Sequence, residues 1–175
     1  MVLHDGPDGT DVAKRDAHAA ECKHQGPSLK ARALALLSRR EYSRRELARK
    51  LAAHAQDADA LESLLDDLAR EQWLSDERYA QSLIHRQAPR LGARRITHTL
   101  REQGVDADTV AELAAQLRDT EEDRARAIWQ KKFGTLPADA KEHARQLRFM
   151  AYRGFSSDVL RRIIAEARDL DAEAD

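Results

Sequence analysis

The sequence predicts an all-α protein made of tandem, degenerate three-helix repeats in an elongated, curved array. Three observations lead there. Ala, Leu, Arg and Glu are abundant, and all are strong helix formers; aromatic residues are 5% of the chain against 35% charged, so strand-favouring residues are sparse and any core is thin. Apolar residues recur at intervals of three and four in short runs, punctuated by Ser, Asp, Gly or Pro. A helix-opening pattern also returns three times along the chain.

Residues 1–27 carry Gly6, Pro7, Gly9, Gly26 and Pro27 among scattered charges with no apolar period, which predicts a flexible tail containing the lone thiol, Cys22. A first three-helix repeat is expected over 28–74. Leu29, Ala33, Leu36 and Leu37 form its first apolar stripe, and Ser43 with Glu46 opens the second helix as a capping box ahead of Leu47 and Leu51. Asp57 or Asp59 starts the third, with Leu61, Leu64, Leu65 and Leu68 inward and Trp73-Leu74 closing the unit.

A second repeat is expected over 75–118. Ser75-Asp76-Glu77 begins a helix through Tyr79, Leu83 and Ile84; Pro89 and Gly92 end it. Ile96 and Leu100 pair one turn apart before Gly104, and Asp106 or Asp108 opens the helix of Val110, Leu113 and Leu117. The third repeat, 119–170, holds helices around Ile128 and Trp129, around Leu147, Phe149 and Met150, and from Ser156 through Ile164. Residues 171–175 read as a fraying C-terminal tail. Tyr42, Tyr79, Trp73 and Trp129 sit at apolar spacing and are expected in the core rather than stacked on bases.

Tyr42-Ser43, Leu91-Gly92 and Phe155-Ser156 overlay without gaps. Leu47, Ile96 and Leu160 follow five positions on, and Leu51, Leu100 and Ile164 nine positions on. Each segment places a large apolar residue before a cap or small residue, then two core residues one turn apart. Gly92 and Gly154 are expected to set turns.

Reactive chemistry is not apparent. The chain has no phosphate-binding Gly-rich loop, nucleophile elbow, paired-Cys metal motif or His-Glu-x-x-His pattern, and its seven His residues are dispersed, with His54 and His98 expected on helix surfaces. A non-enzyme is expected, with no cofactor and no metal. No apolar run approaches the roughly 18 residues of a membrane span, so a cytoplasmic location is expected. A monomer is expected as well.

The net charge of −1 conceals blocks: −2 over 1–27, +6 over 28–56, −7 over 57–77, +6 over 78–101, −7 over 102–123, +6 over 124–153 and −3 over 154–175. Basic helices gathered on one side would make a cationic stripe. Arg39, Arg40, Arg44, Arg45, Arg94, Arg95 and Arg153 are the expected partner contacts, because a guanidinium bridges carboxylate and phosphate oxygens alike. Their charge leaves a protein partner and direct nucleic-acid binding both open.

Four segments in order resemble the RecX family: Ser28 to Leu34 continuing at Leu37 to Leu47; Trp73-Leu74-Ser75-Asp76-Glu77-Arg78-Tyr79-Ala80; Gly92-Ala93-Arg94-Arg95-Ile96; and Arg148 to Ser156. Gln103-Gly104-Val105 and Phe149-Met150 depart from the usual pattern, the former by losing a positive charge. The resemblance covers about residues 28–168. It implies a regulator that binds the RecA recombinase filament on single-stranded DNA and mainly inhibits strand exchange, ATPase and coprotease activities. Contact with a single- or double-stranded DNA backbone, and roles in DNA repair, homologous recombination and the SOS response, are implied with it. A direct nucleic-acid-binding protein and a purely structural helical adaptor are the competing readings.

Overall fold

Local capping explains where most of the helices begin. The computed structural model describes residues 26–174. The tail expected over 1–27 lies outside the described residues apart from Gly26 and Pro27, and Cys22 lies outside them altogether. Nine α-helices are present among the described residues: α1 (Leu29–Leu37), α2 (Arg44–Leu51), α3 (Ala58–Arg70), α4 (Asp76–Gln87), α5 (Ala93–Glu102), α6 (Ala107–Asp119), α7 (Glu121–Lys132), α8 (Ala140–Tyr152) and α9 (Ser157–Ala174). A single 3-10 turn, Ala52–His54, extends α2.

Seven helices open on a Ser or Asp whose side-chain oxygen accepts the amide three residues on. These caps are Ser28, Ser43, Asp57, Ser75, Asp106, Asp139 and Ser156, at 2.7 to 3.2 Å. The capping box at Ser43 forms by half: Ser43 accepts from the Glu46 amide, but the Glu46 carboxylate turns to Arg40 instead. A guanidinium offers a charge-assisted pair that a backbone amide cannot match. Helices α5 and α7 have no side-chain cap from their own N-cap residue.

The apolar faces close into three separate cores. Helices α1 to α3 bury Ala33, Tyr42, Leu47, Leu51, Leu65 and Leu68; α4 to α6 bury Tyr79, Leu83, Ile96, Leu100, Val110 and Leu117; α7 to α9 bury Trp129, Met150, Phe155, Leu160 and Ile163. Each three-helix group therefore packs around its own centre. The hydrogen bonds between groups join the first to the second and the second to the third, and among the described residues none joins the first to the third. The result is an all-α array of three-helix groups set in series.

Local detail adds to these expectations and corrects some of them. Each overlaid segment opens a helix, as expected, but not at the same place in its group: Ser43 and Gly92 precede second helices, whereas Ser156 precedes a third helix, α9. Any amphipathic helix after a large apolar residue and a cap shows the same five- and nine-residue spacing, so the pattern marks helix starts without fixing their place in the unit. The structural counterpart of Gly154-Phe155-Ser156 is Gly104-Val105-Asp106. Both glycines have positive φ, +87° and +83°. The amides of Phe155 and Val105 reach back 3.1 Å to the Met150 and Leu100 carbonyls, ending the second helix before the cap of the third.

Trp73 is 54% exposed and does not close the first core, whereas Tyr42, Tyr79 and Trp129 are buried as expected. Gln72 adopts φ +62° after α3, and the Leu68 carbonyl then accepts the amides of both Trp73 and Leu74. That turn points Leu74 inward and its neighbour out. At the other end, α9 continues through Ala174.

Candidate partner-binding surface

The arginines divide into those that hold the array together and those left facing outward. At the junction of the first two groups, Arg45 on α2 donates to the Glu102 carbonyl at the end of α5 at 2.9 Å. At the next junction, Arg95 on α5 donates to the Tyr152 carbonyl at the end of α8 at 2.8 Å. Both bonds span 57 residues, so the same clasp recurs fifty residues along, cation to helix C-terminus.

A second clasp repeats beside it. The Arg44 amide, at the start of α2, donates to Asp76 Oδ1 at 2.8 Å, and the Ala93 amide, at the start of α5, donates to Glu121 Oε1 at 2.9 Å. Asp76 and Glu121 are the first residues of the following groups' opening helices. The next unit's carboxylate thus satisfies a backbone donor of the preceding unit's second helix, which for α5 replaces the missing side-chain cap.

The seven expected contact residues fare differently. Arg40 pairs with Glu46 at 2.5 Å and lies 3.7 Å over the Tyr42 ring; that hydrogen bond holds the Glu46 carboxyl below its ordinary range and the Arg40 guanidinium above its own. Arg44 is shared between Glu62 and Asp66, which raise its pKa. Arg45 and Arg95 make the clasps described above, and Arg95 also lies 4.9 Å from the Tyr152 ring centre. Arg153 covers the Phe149 ring at 3.7 Å. Arg39 and Arg94 are exposed, with no side-chain hydrogen bond or ion pair among the described residues. The fold does not bring the seven into one cluster; it distributes them along the array.

Open basic surface gathers in three shallow grooves. Arg32, Arg39, Lys50 and His54 line one of about 410 Å³ between α1 and α2, over Leu36 and Leu51. Arg94, Arg95 and His98 line one of about 520 Å³ with the exposed Tyr152, the one carboxylate there being Glu102. Arg90, Lys131, Lys132 and Arg153 line one of about 370 Å³ between α7, α8 and the turn before α5. Lys131, Lys132 and Tyr152 escaped the sequence reading, which followed arginine density alone; two adjacent lysines at a helix end were the available signal. Among the described residues no group of three or more His, Cys, Asp or Glu is placed to hold a metal ion, and no helix is long and apolar enough to cross a membrane.

Comparison with known proteins agrees with this architecture. The family model described as RecX, second three-helix domain, matches residues 75–113, and that of RecX, third three-helix domain, matches residues 119–164. The regulatory protein RecX of Ralstonia pickettii is 50% identical over 148 residues, covering 85% of this chain and 93% of the relative. The chain belongs to the RecX family. The regulatory protein RecX of Chromobacterium violaceum is 48% identical over 147 residues, covering 84% of this chain and 95% of the relative. The crystal structure of RecX from Lactobacillus salivarius shares the fold, with TM-score 0.68 at 23% identity over 80% of this chain and 94% of that one. As a RecX-family member the protein has a regulator's role, and its arginine clasps are the devices by which this RecX-type chain joins its three-helix units.

Proposed function

We propose that this protein modulates, mainly by inhibition, the RecA recombinase by lying along the RecA–single-stranded DNA filament as a curved cytoplasmic monomer. Residues 28–74, 75–118 and 119–170 act as its three repeat units, and strand exchange, ATPase and coprotease activity all fall when it binds. The role in DNA repair, homologous recombination and the SOS response follows from that action. No cofactor and no chemical step of its own are needed.

One observation carries the reading: among the described residues the hydrogen bonds between groups join neighbours, and unpaired cations are spaced along the array rather than in one pocket. Arg39 in the first group and Arg94 in the second are exposed and free of intramolecular partners among the described residues, and Arg153 presents a guanidinium from the third. An extended surface of this kind suits a helical polymer, where contacts on successive subunits add as effective concentration. Arg45 and Arg95, whose side chains cross the unit junctions, serve mainly to hold the units at the correct spacing, and Arg40 and Arg44 are engaged within the first unit.

The test is titration of the nucleotide-bound filament and of naked single-stranded DNA with the wild-type protein and with Arg39→Glu/Arg94→Glu. Preference for the filament, weakened about tenfold or more in the double variant with helicity unchanged, is the expected result. Unchanged inhibition of recombinase ATPase by the variant would remove these contacts from the reading.

A second reading, direct nucleic-acid binding, is favoured by one feature. Tyr152 is 74% exposed beside Arg94, Arg95 and His98, the mixture of aromatic and cation that holds a single strand. Strong, steeply salt-dependent affinity for naked DNA would identify it.

A further inference from the structure

The groove between α7, α8 and the turn before α5 combines unpaired cations with an aromatic floor. Four cations line it: Arg90 from the turn, Lys131 and Lys132 from the end of α7, and Arg153 from the end of α8. No carboxylate lines it, and none of the four forms an ion pair among the described residues. Other cations of the third group are neutralised at short range: Arg126 with Glu122, Asp123 and Glu166, Arg162 with Glu122, and Arg145 with Glu142. Like charges held together without counter-ions repel one another, so such a cluster is most stable when a ligand supplies the missing anions.

The floor is apolar. Ile128 and Phe149 form it, and both are only partly buried against the third core. Phe149 is fixed in place: Phe133 meets it edge-on at 5.1 Å between ring centres, and Arg153 lies over it at 3.7 Å. With the guanidinium covering the ring, that face is closed to a stacked nucleobase. The guanidinium is left able to grip a carboxylate with two parallel hydrogen bonds, while the space beside Ile128 accepts an aliphatic side chain.

We infer that this groove is a docking site for an acidic peptide segment carrying one large aliphatic side chain, with that side chain on Ile128 and Phe149 and the flanking carboxylates on Arg90, Lys131, Lys132 and Arg153. The site stands on the groove itself; only the assignment of the segment to the recombinase rests on the filament reading above. Its chemistry matches the general use of basic clusters to read acidic motifs, with an apolar anchor giving the selectivity that charge alone lacks.

The experiment titrates the full chain against fluorescein-labelled synthetic peptides at about 0.15 M salt. One peptide has a central Leu flanked by Glu; the second is poly-glutamate of the same length; a single-stranded oligonucleotide of matched charge is the third probe. The Leu peptide should bind about tenfold more tightly than poly-glutamate. The double variant Arg90→Glu/Lys131→Glu, at two exposed positions, should weaken it at least about tenfold with an unchanged melting temperature. Equal affinity for poly-glutamate, or displacement of the peptide by the oligonucleotide with that probe binding more tightly, would overturn the inference. So would peptide binding that survives the double variant, or no binding at all. Because no recombinase is present, these outcomes are independent of the filament titration, and the two readings can fail separately.

Discussion

The amide of Gly92 donates to the carbonyl of Arg153 at 2.9 Å, so the turn that opens α5 is hydrogen-bonded to the end of a helix 61 residues away. Gly92 has φ −78°, a value open to any residue, and is therefore not required by its own backbone conformation. It is required by its neighbour. A Cβ on Gly92 would lie 2.4 Å from the Gly154 carbonyl carbon and oxygen and from the Phe155 nitrogen, and those are backbone atoms without freedom to move aside.

Gly92→Ala is accordingly expected to force the second and third groups apart and cost about 3 kcal/mol. Gly104→Ala is the informative comparison. Gly104 also needs its glycine, for φ +83°, but a Cβ there meets only the Arg45 side chain at 3.6 Å, so about 1 kcal/mol of backbone strain is expected. Thermal denaturation of both variants checks the order; a Gly104 variant less stable than the Gly92 variant would contradict the packing explanation.

The carboxylate clasp makes a second prediction. Glu121 is 7% exposed and accepts the Ala93 amide, the first donor of a helix with no cap of its own. Glu121→Ala leaves that donor without its partner at the group junction and should cost about 2 kcal/mol, whereas Glu121→Gln keeps an acceptor oxygen and should cost less. Amide hydrogen exchange gives the local readout: protection at Ala93 should fall in the Ala variant and largely persist in the Gln variant. Equal loss of protection in both would assign the effect to packing instead.

These two glycines and this glutamate show what the sequence made legible and what it hid. Cap residues, apolar periodicity and three groups of helices are local patterns, and Ser43, Asp106 and Ser156 act where spacing put them. Trp73 was misplaced because its direction depends on the positive φ of Gln72, a turn no periodicity reports. The arginines were harder still. Arg45 and Arg94 look alike in the chain, yet one clasps the Glu102 carbonyl and the other faces solvent, a difference decided by a helix end more than fifty residues away. Charge density locates basic helices; it does not say which of their cations are already occupied.

A pH dependence follows from Glu46, whose carboxyl is held below its usual range first by the hydrogen bond from Arg40, against the opposing effect of burial. A depressed folded-state pKa adds stability that is fully present above the unfolded value of about 4.3 and is lost as pH falls through the folded value. Wild type should exceed Glu46→Gln by about 1 kcal/mol at neutral pH, the partial exposure of the pair keeping the figure small. As pH falls below about 4.3 and on through the lowered folded value, the two melting temperatures should converge. A gap that stays constant from neutral to acid would show that the Arg40–Glu46 pair is not its source.

Arg124 gives the sharpest test of the serial architecture, because its guanidinium is spent on the backbone of the preceding group. Nη1 donates to the carbonyls of Ala88 at 3.0 Å and Leu91 at 2.8 Å, and Nη2 donates to Leu117 at 2.7 Å. The first two carbonyls lie in the turn between α4 and α5 and the third is in α6, so one side chain ties three points of the second group to α7. Burial pushes its pKa down, opposed by the nearby Glu121 charge. A fixed planar fork reaches diverging acceptors that a single ammonium on a flexible stem cannot hold together. Arg124→Lys should therefore cost about 1 kcal/mol, and Arg124→Met, which keeps the stem and strands the carbonyls, about 3 kcal/mol. If the junction is what suffers, Arg124→Met should raise hydrogen exchange at Gly92 and Ala93 while leaving the first group, around Leu47 and Leu65, protected as before. Uniform loss of protection across all three cores would mean that the groups unfold as one body rather than as units in series.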